Sequence, residues 1–225
     1  MTVDIIDVAQ GTPEWHAARA GHATSSEFAA VLAKAKEKGG VSKTRAAYMR
    51  RILAERITGK AVDTWSNDHM RRGIAQEPLA RAAYEVERGV VVREAGFIRH
   101  GAFRWCGCSP DGLVGEDGGI EAKCVIPDVQ LETVMDGKYP SEHTAQVQGC
   151  MWVTGRQWWD FVSFSPDMPE HLRLHIYRVA RDEVYIKVLA NEVRAFLAEA
   201  EMQFRGLMGL PLLTEADVAS GALRA

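Results

Sequence analysis

The stretch that decides the fold lies between residues 109 and 124. It reads Ser109-Pro110-Asp111-Gly112, then seven residues, then Ile120-Glu121-Ala122-Lys123-Cys124. The connecting segment 115–119 is rich in glycine and acidic residues, which indicates a turn. In a strand, Glu121 and Lys123 are two residues apart and point to the same face. A hairpin would bring the chain back beside Asp111, so the pattern predicts two carboxylates and one ammonium on one side of adjacent strands.

These three side chains suit a divalent metal site. Two carboxylates with open positions beside them are the hard oxygen donors that Mg²⁺ and Mn²⁺ prefer. A lysine beside a metal-bound water can orient that water, and the metal can offset the charge that builds on a phosphate during in-line attack. The alternative is an ordinary cross-strand Glu–Lys pair. The neighbours of Glu121 and Lys123 are mostly apolar, so the strand is predicted to be buried, and charges on a buried strand need a reason. We therefore favour a functional site.

The chain before Gly89 has helical periodicity. Thr12, followed by a proline, predicts a short helix through Arg19. Either serine of the pair 25–26 could cap a second helix, and Ser42 could cap a third that ends at Gly59. A fourth helix is predicted from about residue 67 to residue 88, with Pro78 indicating a kink or a delayed start.

At Gly89 the hydrophobic period changes from 3.6 to 2. Segments 89–100, 102–109 and 120–126 are predicted to be antiparallel strands. They are followed by a helix over 141–153, strands over 158–164 and 172–179, and a long helix over about 182–207. This order predicts an α/β (α+β) fold with a central mixed sheet flanked by helices. We expect a single domain over 1–225, with a helical N-terminal part to about residue 89 and a mixed-sheet core over about 90–180.

The overall charge gives a misleading first impression. The 225 residues carry 27 Lys and Arg against 30 Asp and Glu, a formal net charge of -3, whereas nucleic-acid-binding domains usually have a basic footprint. Residues 34–72, however, hold 11 basic against 4 acidic residues. The best candidates for contact with a phosphate backbone are Lys34, Lys36, Lys38, Lys43, Arg45, Arg50 and Arg51. The alternative for these residues is a solvated helical face.

Several protein classes are disfavoured. No apolar run approaches the roughly 20 residues of a membrane helix, and the N-terminus lacks the pattern of a signal peptide. Four clustered cysteines are typical of reduced thiols in a cytosolic protein, so we expect a cytoplasmic protein with no membrane partner. The spacing Cys106-x-Cys108 does not predict a zinc site, and there is no P-loop or dinucleotide motif.

The spacing Pro-Asp-x9-Glu-x-Lys resembles the PD-(D/E)xK nuclease superfamily. Further blocks occur in order from residue 15 to about residue 165. They are Trp15-His16-x-x-Arg19, Thr24-Ser25-Ser26-Glu27, Gly73-x-x-x-Glu77, Cys108-Ser109-Pro110-Asp111-Gly112, Ala145-Gln146-Val147-Gln148 and Met151-Trp152-Val153-Thr154. Together they resemble the YqaJ-type viral recombinase exonucleases, the family of phage lambda exonuclease.

This resemblance implies a restriction-endonuclease-like core and a 5′→3′ exonuclease that acts on linear double-stranded DNA from 5′-phosphorylated ends. The enzyme would release mononucleotides and leave 3′ single-stranded overhangs for recombination by strand annealing. The resemblance further implies two Mg²⁺ ions per active site, replaceable by Mn²⁺, a ring-shaped homotrimer, a single-strand annealing protein as partner, and a phage or prophage origin. The alternatives are an endonuclease of the same superfamily and a non-catalytic clamp that binds DNA ends.

The resemblance also assigns roles to individual residues. Asp111, Glu121 and the Ala122 carbonyl match metal ligands, and Lys123 matches the lysine that assists the attacking water. Glu77 matches an acidic helix residue near the second metal, and Gln146 matches a glutamine beside the active site. From the residues alone, an i,i+4 partner of Arg81 is the favoured interpretation of Glu77, and Gln146 could lie on a polar helix face or hydrogen-bond the scissile region.

The match extends to the contacts with DNA. Arg19, Ser26 and Ser109 match a pocket for the 5′-phosphate, where an arginine can bind phosphate oxygens in a bidentate manner; Ser26 could instead be a simple helix cap. Lys36, Lys43 and Arg45 belong to the basic stretch, and Met70 stands where the family has a leucine that wedges the strands apart. His143 stands where the family has a tyrosine.

Overall fold

The strands of the protein form two mixed sheets. The computed structural model describes residues 3–35, 40, 42–62 and 68–213. The first sheet has the order β1-β4-β5-β2, with β1 at Asp4–Ile6, β2 at Ala23–Thr24, β4 at Phe97–Arg99 and β5 at Cys106–Cys108. The second has the order β3-β6-β7-β8-β9, with β3 at Val92–Arg93, β6 at Gly112–Val114, β7 at Gly118–Cys124, β8 at Trp158–Phe164 and β9 at Leu174–Ala180.

The second sheet is built around one parallel pair of strands. β7 runs parallel to β8, with Glu121 opposite Phe161 and Lys123 opposite Ser163. β6 and β9 add antiparallel strands on either side. Six of the seven residues of β8 are buried, as expected of a strand that is covered on both faces. β7 is therefore a central strand; its Glu121 is buried and its Lys123 is half-buried.

Helices cover both sheets. They are α1 at Pro13–Arg19, α2 at Phe28–Leu32, α3 at Lys43–Thr58, α4 at Asp68–Arg88, α5 at Pro127–Asp136, α6 at Thr144–Thr154 and α7 at Glu183–Met208. The side chains of Thr12, Ser42 and Asp182 accept hydrogen bonds from main-chain N–H groups in the first turns of α1, α3 and α7. These local bonds satisfy N–H groups that the helix leaves unpaired. Within the described residues, no helix is long and apolar enough to cross a membrane.

The second predicted helix begins differently from the expectation. Neither Ser25 nor Ser26 caps α2. Both lie in a 3₁₀ turn, Ser25–Glu27, and α2 begins at Phe28 without a side-chain cap. The fourth helix does not start late, because α4 begins at Asp68, ten residues before Pro78. The N-terminal part is also not purely helical, since it contributes β1 and β2 to the first sheet.

The strands after Gly89 are divided between the two sheets. The segment 89–100, predicted as one strand, contains β3 of the second sheet and β4 of the first. The chain changes sheets at Ala95 and Gly96, where a Cβ on Gly96 would collide with the main chain of Val8. It returns to the second sheet over residues 109–111. The mixed pairing and the flanking helices are confirmed, but the single central sheet of the prediction is two sheets.

Two packed regions hold these layers together. The larger core lies among α2, α3, α6 and α7 and residues of both sheets, and includes Phe28, Ile52, Met151 and Phe196. The smaller lies where α4 covers the second sheet, around Tyr84. The side-chain hydroxyl of Tyr84 donates to Asp160 on β8 at 2.8 Å, and Arg178 donates twice to the same carboxylate. This network fixes α4 against β8 and β9, and β8 pairs with β7, the strand that carries Glu121 and Lys123.

Candidate active site

The structure brings Asp111, Glu121 and Lys123 together. Asp111 lies at the crossover between β5 and β6, and its Oδ2 accepts a hydrogen bond of 2.7 Å from the main-chain N–H of Ala122. Glu121 on β7 is 1% exposed. Lys123, two residues further along the same strand, donates from Nζ to Glu121 Oε1 at 2.6 Å. The predicted juxtaposition of two carboxylates and one ammonium is therefore present.

Burial and mutual repulsion shift the protonation equilibria of this group. Burial raises the pKa of Asp111 well above its ordinary value of 3.8, and the neighbouring Glu121 carboxylate raises it further. Burial acts against the charged form of Lys123, but the Glu121 and Asp111 carboxylates outweigh this effect and raise the lysine pKa. The site thus contains more negative charge than its single ammonium can neutralise.

The two carboxylates fit a divalent cation. Glu121 Oε2 is buried and has no hydrogen-bond partner, which is costly for an ionised group unless a cation lies beside it. Asp111 supplies a second hard oxygen donor. Among the residues that the structure describes, no three His, Cys, Asp or Glu side chains come together as a ligand set. Further donors would therefore come from the main chain, such as the Ala122 carbonyl, from water or from substrate, as is common for Mg²⁺.

Glu77 and Gln146 approach this pair from two helices. Gln146 on α6 donates from Nε2 to Glu121 Oε1 at 2.6 Å, so that this oxygen accepts two hydrogen bonds. Burial raises the pKa of Glu77 on α4; the charge of Arg81 lowers it and that of Glu121 raises it. Arg81 forms an ion pair with Glu94, at 3.1 Å. Glu77 therefore lies within electrostatic range of the pair, and its role as a metal ligand stays a prediction.

The residues predicted to bind a 5′-phosphate also meet. Arg19 donates from Nη2 to Ser26 Oγ at 3.4 Å, and its guanidinium stacks on the Trp15 ring at 4.2 Å from the centroid. The indole Nε1 of Trp15 donates to Ser109 Oγ at 3.1 Å. Burial lowers the pKa of Arg19, but a guanidinium remains charged at any ordinary pH. Trp15 therefore links all three predicted residues into one cluster.

The basic stretch is only partly free to bind a ligand. Lys43 is exposed at the start of α3, as expected for a backbone contact. Arg45 instead pairs with Glu199 of α7 at 2.7 Å, and Arg51 pairs with Glu27 at 2.6 Å. Lys36 lies outside the described residues, as do Lys38 and the side chain of Met70.

Sequence reasoning gave no role to Trp15, and it left that of His143 open. Trp15 and Arg19 are four residues apart on one helix, a spacing that places side chains in contact, so the signal was present. The His143 ring stacks on Phe161 with a centroid distance of 5.2 Å. Burial lowers the pKa of His143, and the charge of Lys123 lowers it further. His143 is therefore a mainly neutral side chain at the edge of the site.

Comparison with known proteins agrees with this geometry. The model of the YqaJ-like viral recombinase domain family matches residues 14–157, which include every residue of the site described above. The structure is similar to an alkaline exonuclease (LHK-Exo) from Laribacter hongkongensis, with 41% identity, a TM-score of 0.80, and coverage of 88% of this chain and 96% of that one. The same enzyme in complex with dAMP matches equally well, over 87% and 96% of the two chains.

A more distant structure shares only the fold. A phage-related exonuclease from Haemophilus somnus 129PT is 16% identical, with a TM-score of 0.57 and coverage of 84% of this chain and 95% of that one. No curated protein sequence matches the chain. The close match confirms the PD-(D/E)xK fold expected from the sequence. With the family model covering most of the chain and the motif residues assembled in one site, the chain belongs to the YqaJ-like viral recombinase domain family.

Proposed function

We propose that the protein is a divalent-metal-dependent exonuclease that degrades linear double-stranded DNA in the 5′→3′ direction from 5′-phosphorylated ends. It would leave 3′ single-stranded overhangs suited to recombination by strand annealing. Family membership and the likeness to an alkaline exonuclease support the general activity. The cluster of Arg19, Ser26 and Ser109 supports the preference for 5′-phosphorylated ends and thus the 5′→3′ direction that the family resemblance implies, and the carboxylate pair supports the metal requirement.

One observation supports the exonuclease assignment above all others. Ser109, one member of the cluster of Arg19, Ser26 and Ser109, precedes Asp111 by only two residues in the chain, and Trp15 connects Ser109 to Arg19. A cationic pocket beside the cutting site can hold a terminal phosphate while the next phosphodiester lies at the carboxylates. An enzyme that acts inside a strand has no need of such a pocket, because internal positions offer no terminal phosphate.

The side chains around the carboxylates would have separate roles in binding and positioning the phosphates. Arg19 is suited to fork onto two phosphate oxygens, while the Ser26 and Ser109 hydroxyls supply neutral donors. Lys123 is held by Glu121 and can donate a hydrogen bond that orients the attacking water or contacts the phosphate. Gln146 keeps the Glu121 carboxylate in one orientation. Such preorganised donors stabilise developing charge without reorganising during the reaction.

The carboxylate pair would hold Mg²⁺, or Mn²⁺ in its place. When bound, the ion would neutralise charge on the phosphate and lower the pKa of a coordinated water. Two observations support one such site: Glu121 Oε2 has no hydrogen-bond partner, and the pKa of Asp111 is raised by burial and by the neighbouring Glu121 carboxylate. A second ion, which the family resemblance implies, would draw on Glu77.

The test compares DNA ends. The protein is incubated with Mg²⁺ and three substrates: linear duplex with 5′-phosphate ends, the same duplex with 5′-hydroxyl ends, and covalently closed circles. We expect the phosphorylated duplex to be degraded fastest, with mononucleotide products and an intact 3′-ended strand, and the circles to survive. An Asp111→Asn variant, which keeps an acceptor for the Ala122 N–H, serves as the inactive control.

Each of the other outcomes would indicate a different activity. Circles cut as fast as phosphorylated ends would indicate an endonuclease of the same fold. Binding to DNA ends without any metal-dependent degradation would indicate an end-binding clamp. Degradation from 3′ ends would reverse the direction proposed here.

We also propose a ring-shaped homotrimer and a single-strand annealing protein as partner. The exposed Lys43 would then face DNA that passes through the ring. Light scattering at several protein concentrations tests the assembly, because a monomer at all concentrations would contradict it.

A further inference from the structure

Two crossovers between the sheets meet beside the active site. The chain leaves the second sheet at Ala95 and Gly96, between β3 and β4, and returns to it at Ser109 and Pro110, between β5 and β6. Asp111 follows directly on the return crossover. The position of its carboxylate therefore depends on how firmly the two crossovers are held together.

Gln10 joins these crossovers with a single side-chain amide. Its Nε2 donates to the Ala95 carbonyl at 3.0 Å and to the Pro110 carbonyl at 2.8 Å. Both protons of one amide group are thereby used, one on each crossover. Gln10 lies 100 residues before Pro110 in the chain and is exposed at the surface. An exposed glutamine with both donors on main-chain carbonyls constrains the chain locally and adds little to the core.

A neighbouring side chain makes the same kind of bridge. Trp15 Nε1 donates to the Gly96 carbonyl at 3.1 Å and to Ser109 Oγ at 3.1 Å. The tight approach of Val8 to Gly96 places the segment 8–15 across both crossovers. Gln10 bridges the carbonyls at positions 95 and 110, and Trp15 bridges groups at positions 96 and 109. The Gln10 bridge is the one next to Asp111.

We propose that Gln10 is a positioning residue for the metal-binding carboxylate of Asp111, an inference that rests on the proposed function. By fixing the Pro110 carbonyl, Gln10 holds the turn in which Asp111 accepts its hydrogen bond from Ala122 and lies beside Glu121. Without the bridge, Asp111 samples a wider range of positions. Cation binding must then order its side chain, and the conformational entropy lost in that step weakens the binding. Outer residues that orient metal ligands typically change metal affinity or activity by about 10–100-fold.

The test uses Gln10→Met, which keeps the length of the side chain and removes both donors. Binding of Mn²⁺ to the full chain is measured by calorimetry without DNA, and thermal unfolding is measured in EDTA. We expect Mn²⁺ to bind the variant about tenfold more weakly, near the lower limit for such residues, with an unfolding temperature close to that of the unsubstituted chain. The Mn²⁺ concentration for half-maximal DNA degradation should rise by the same factor, with the maximal rate largely restored at saturating metal.

The matched control is Gln157→Met. Gln157 Nε2 also donates to a main-chain carbonyl, that of Gly155, at 3.2 Å, but it lies at the turn before β8 and takes no part in the site. This variant should bind Mn²⁺ as the unsubstituted chain does. Equal Mn²⁺ affinity in Gln10→Met and in the unsubstituted chain would overturn the inference while leaving the proposed function intact. So would a lowered unfolding temperature with unchanged Mn²⁺ affinity. If the unsubstituted chain bound no Mn²⁺, the proposed function itself would fail.

Discussion

Lys123 donates to one oxygen of Glu121, and the other oxygen of that carboxylate has no partner. Lys123 and Gln146 therefore both donate to Oε1 of Glu121. Oε2 stays available to a cation. Under the proposed function this asymmetry would give the two oxygens of one carboxylate different roles: Oε1 would hold Lys123 and Gln146 in place, and Oε2 would bind the metal.

The first prediction concerns Lys123. Changing Lys123 to Ala removes the ammonium that donates a hydrogen bond to the water or the phosphate, and loss of one such preorganised donor typically costs about 10²–10³-fold. We expect single-turnover cleavage to fall by that order while DNA affinity, measured in Ca²⁺ to prevent turnover, stays nearly unchanged. Near-normal turnover in the variant would remove Lys123 from the mechanism.

The second prediction concerns Gln146. Changing Gln146 to Ala deletes one of the two donors to Glu121 Oε1 without touching either carboxylate. We expect cleavage to fall by about 10–100-fold, as for other residues that orient metal ligands, with little change in DNA affinity. Gln148, two residues further on α6, provides a contrasting variant: its amide bonds the Ala180 carbonyl and the Asp182 N–H, so its loss should lower the unfolding temperature more than the metal affinity.

The third prediction follows from the raised pKa of Asp111. A carboxyl whose folded-state pKa lies above its ordinary value of 3.8 holds its proton more tightly in the folded chain. Its contribution to stability is present below the ordinary pKa and is lost as the pH rises through the folded-state value. At neutral pH without metal, Asp111 therefore destabilises the fold. We expect Asp111→Asn to unfold at a higher temperature than the unsubstituted chain in EDTA, by about 2–4 °C if the gain is about 1 kcal/mol.

With bound metal, the unsubstituted chain should unfold at a higher temperature than Asp111→Asn. Addition of Mg²⁺ should raise the unfolding temperature of the unsubstituted chain, since a ligand that binds only the folded state stabilises it, and should have much less effect on Asp111→Asn. Thermal scans at several pH values, with EDTA and with Mg²⁺, check both statements. A lower unfolding temperature of Asp111→Asn in EDTA at neutral pH would contradict the assigned shift.

The sequence predicted features that depend on neighbours in the chain. Ser42 and Gly59 delimit α3 through bonds within one turn, and the hairpin that places Asp111 beside Glu121 spans only 11 residues. Helix α5 was missed although Pro127 begins it and Gly137 ends it with a left-handed conformation, a signal that was available.

Other features depend on distant contacts and leave no local signal. The division of the strands into two sheets occurs where Gly96 packs on Val8; a glycine inside a strand pattern indicates a close backbone approach, but it does not show that the chain changes sheets there. Gln10 has no sequence context that relates it to Pro110. The pairing of Arg45 with Glu199 joins residues far apart in the chain, so a count of basic residues could not show that this charge is already engaged.

The fourth prediction concerns the terminal phosphate. Changing Arg19 to Ala should reduce the rate on 5′-phosphorylated ends to that on 5′-hydroxyl ends, because the charged fork is lost. Arg19→Lys should restore little, since an ammonium makes no bidentate contact and stacks poorly on Trp15. Trp15→Phe keeps an aromatic ring for Arg19 but removes the donor to Ser109. It should lower the ratio of the rate on 5′-phosphorylated ends to the rate on 5′-hydroxyl ends only in part. An unchanged ratio of the two rates in Arg19→Ala would contradict the pocket.

The last prediction compares two members of the basic stretch. Lys43 is exposed, whereas Arg45 is held by Glu199 and stacks on Phe196 at 5.1 Å from the ring centroid. Changing Lys43 to Ala should weaken DNA binding equally for all sequences and reduce the slope of log affinity against log salt by about one. Changing Arg45 to Ala should alter that slope less, because its charge is already neutralised within the protein. Fluorescence anisotropy over a range of salt concentrations gives both slopes. A larger change for Arg45 than for Lys43 would mean that Arg45 leaves Glu199 when DNA binds, and that α3 contributes more of its face to the duplex than its pairing in this structure suggests.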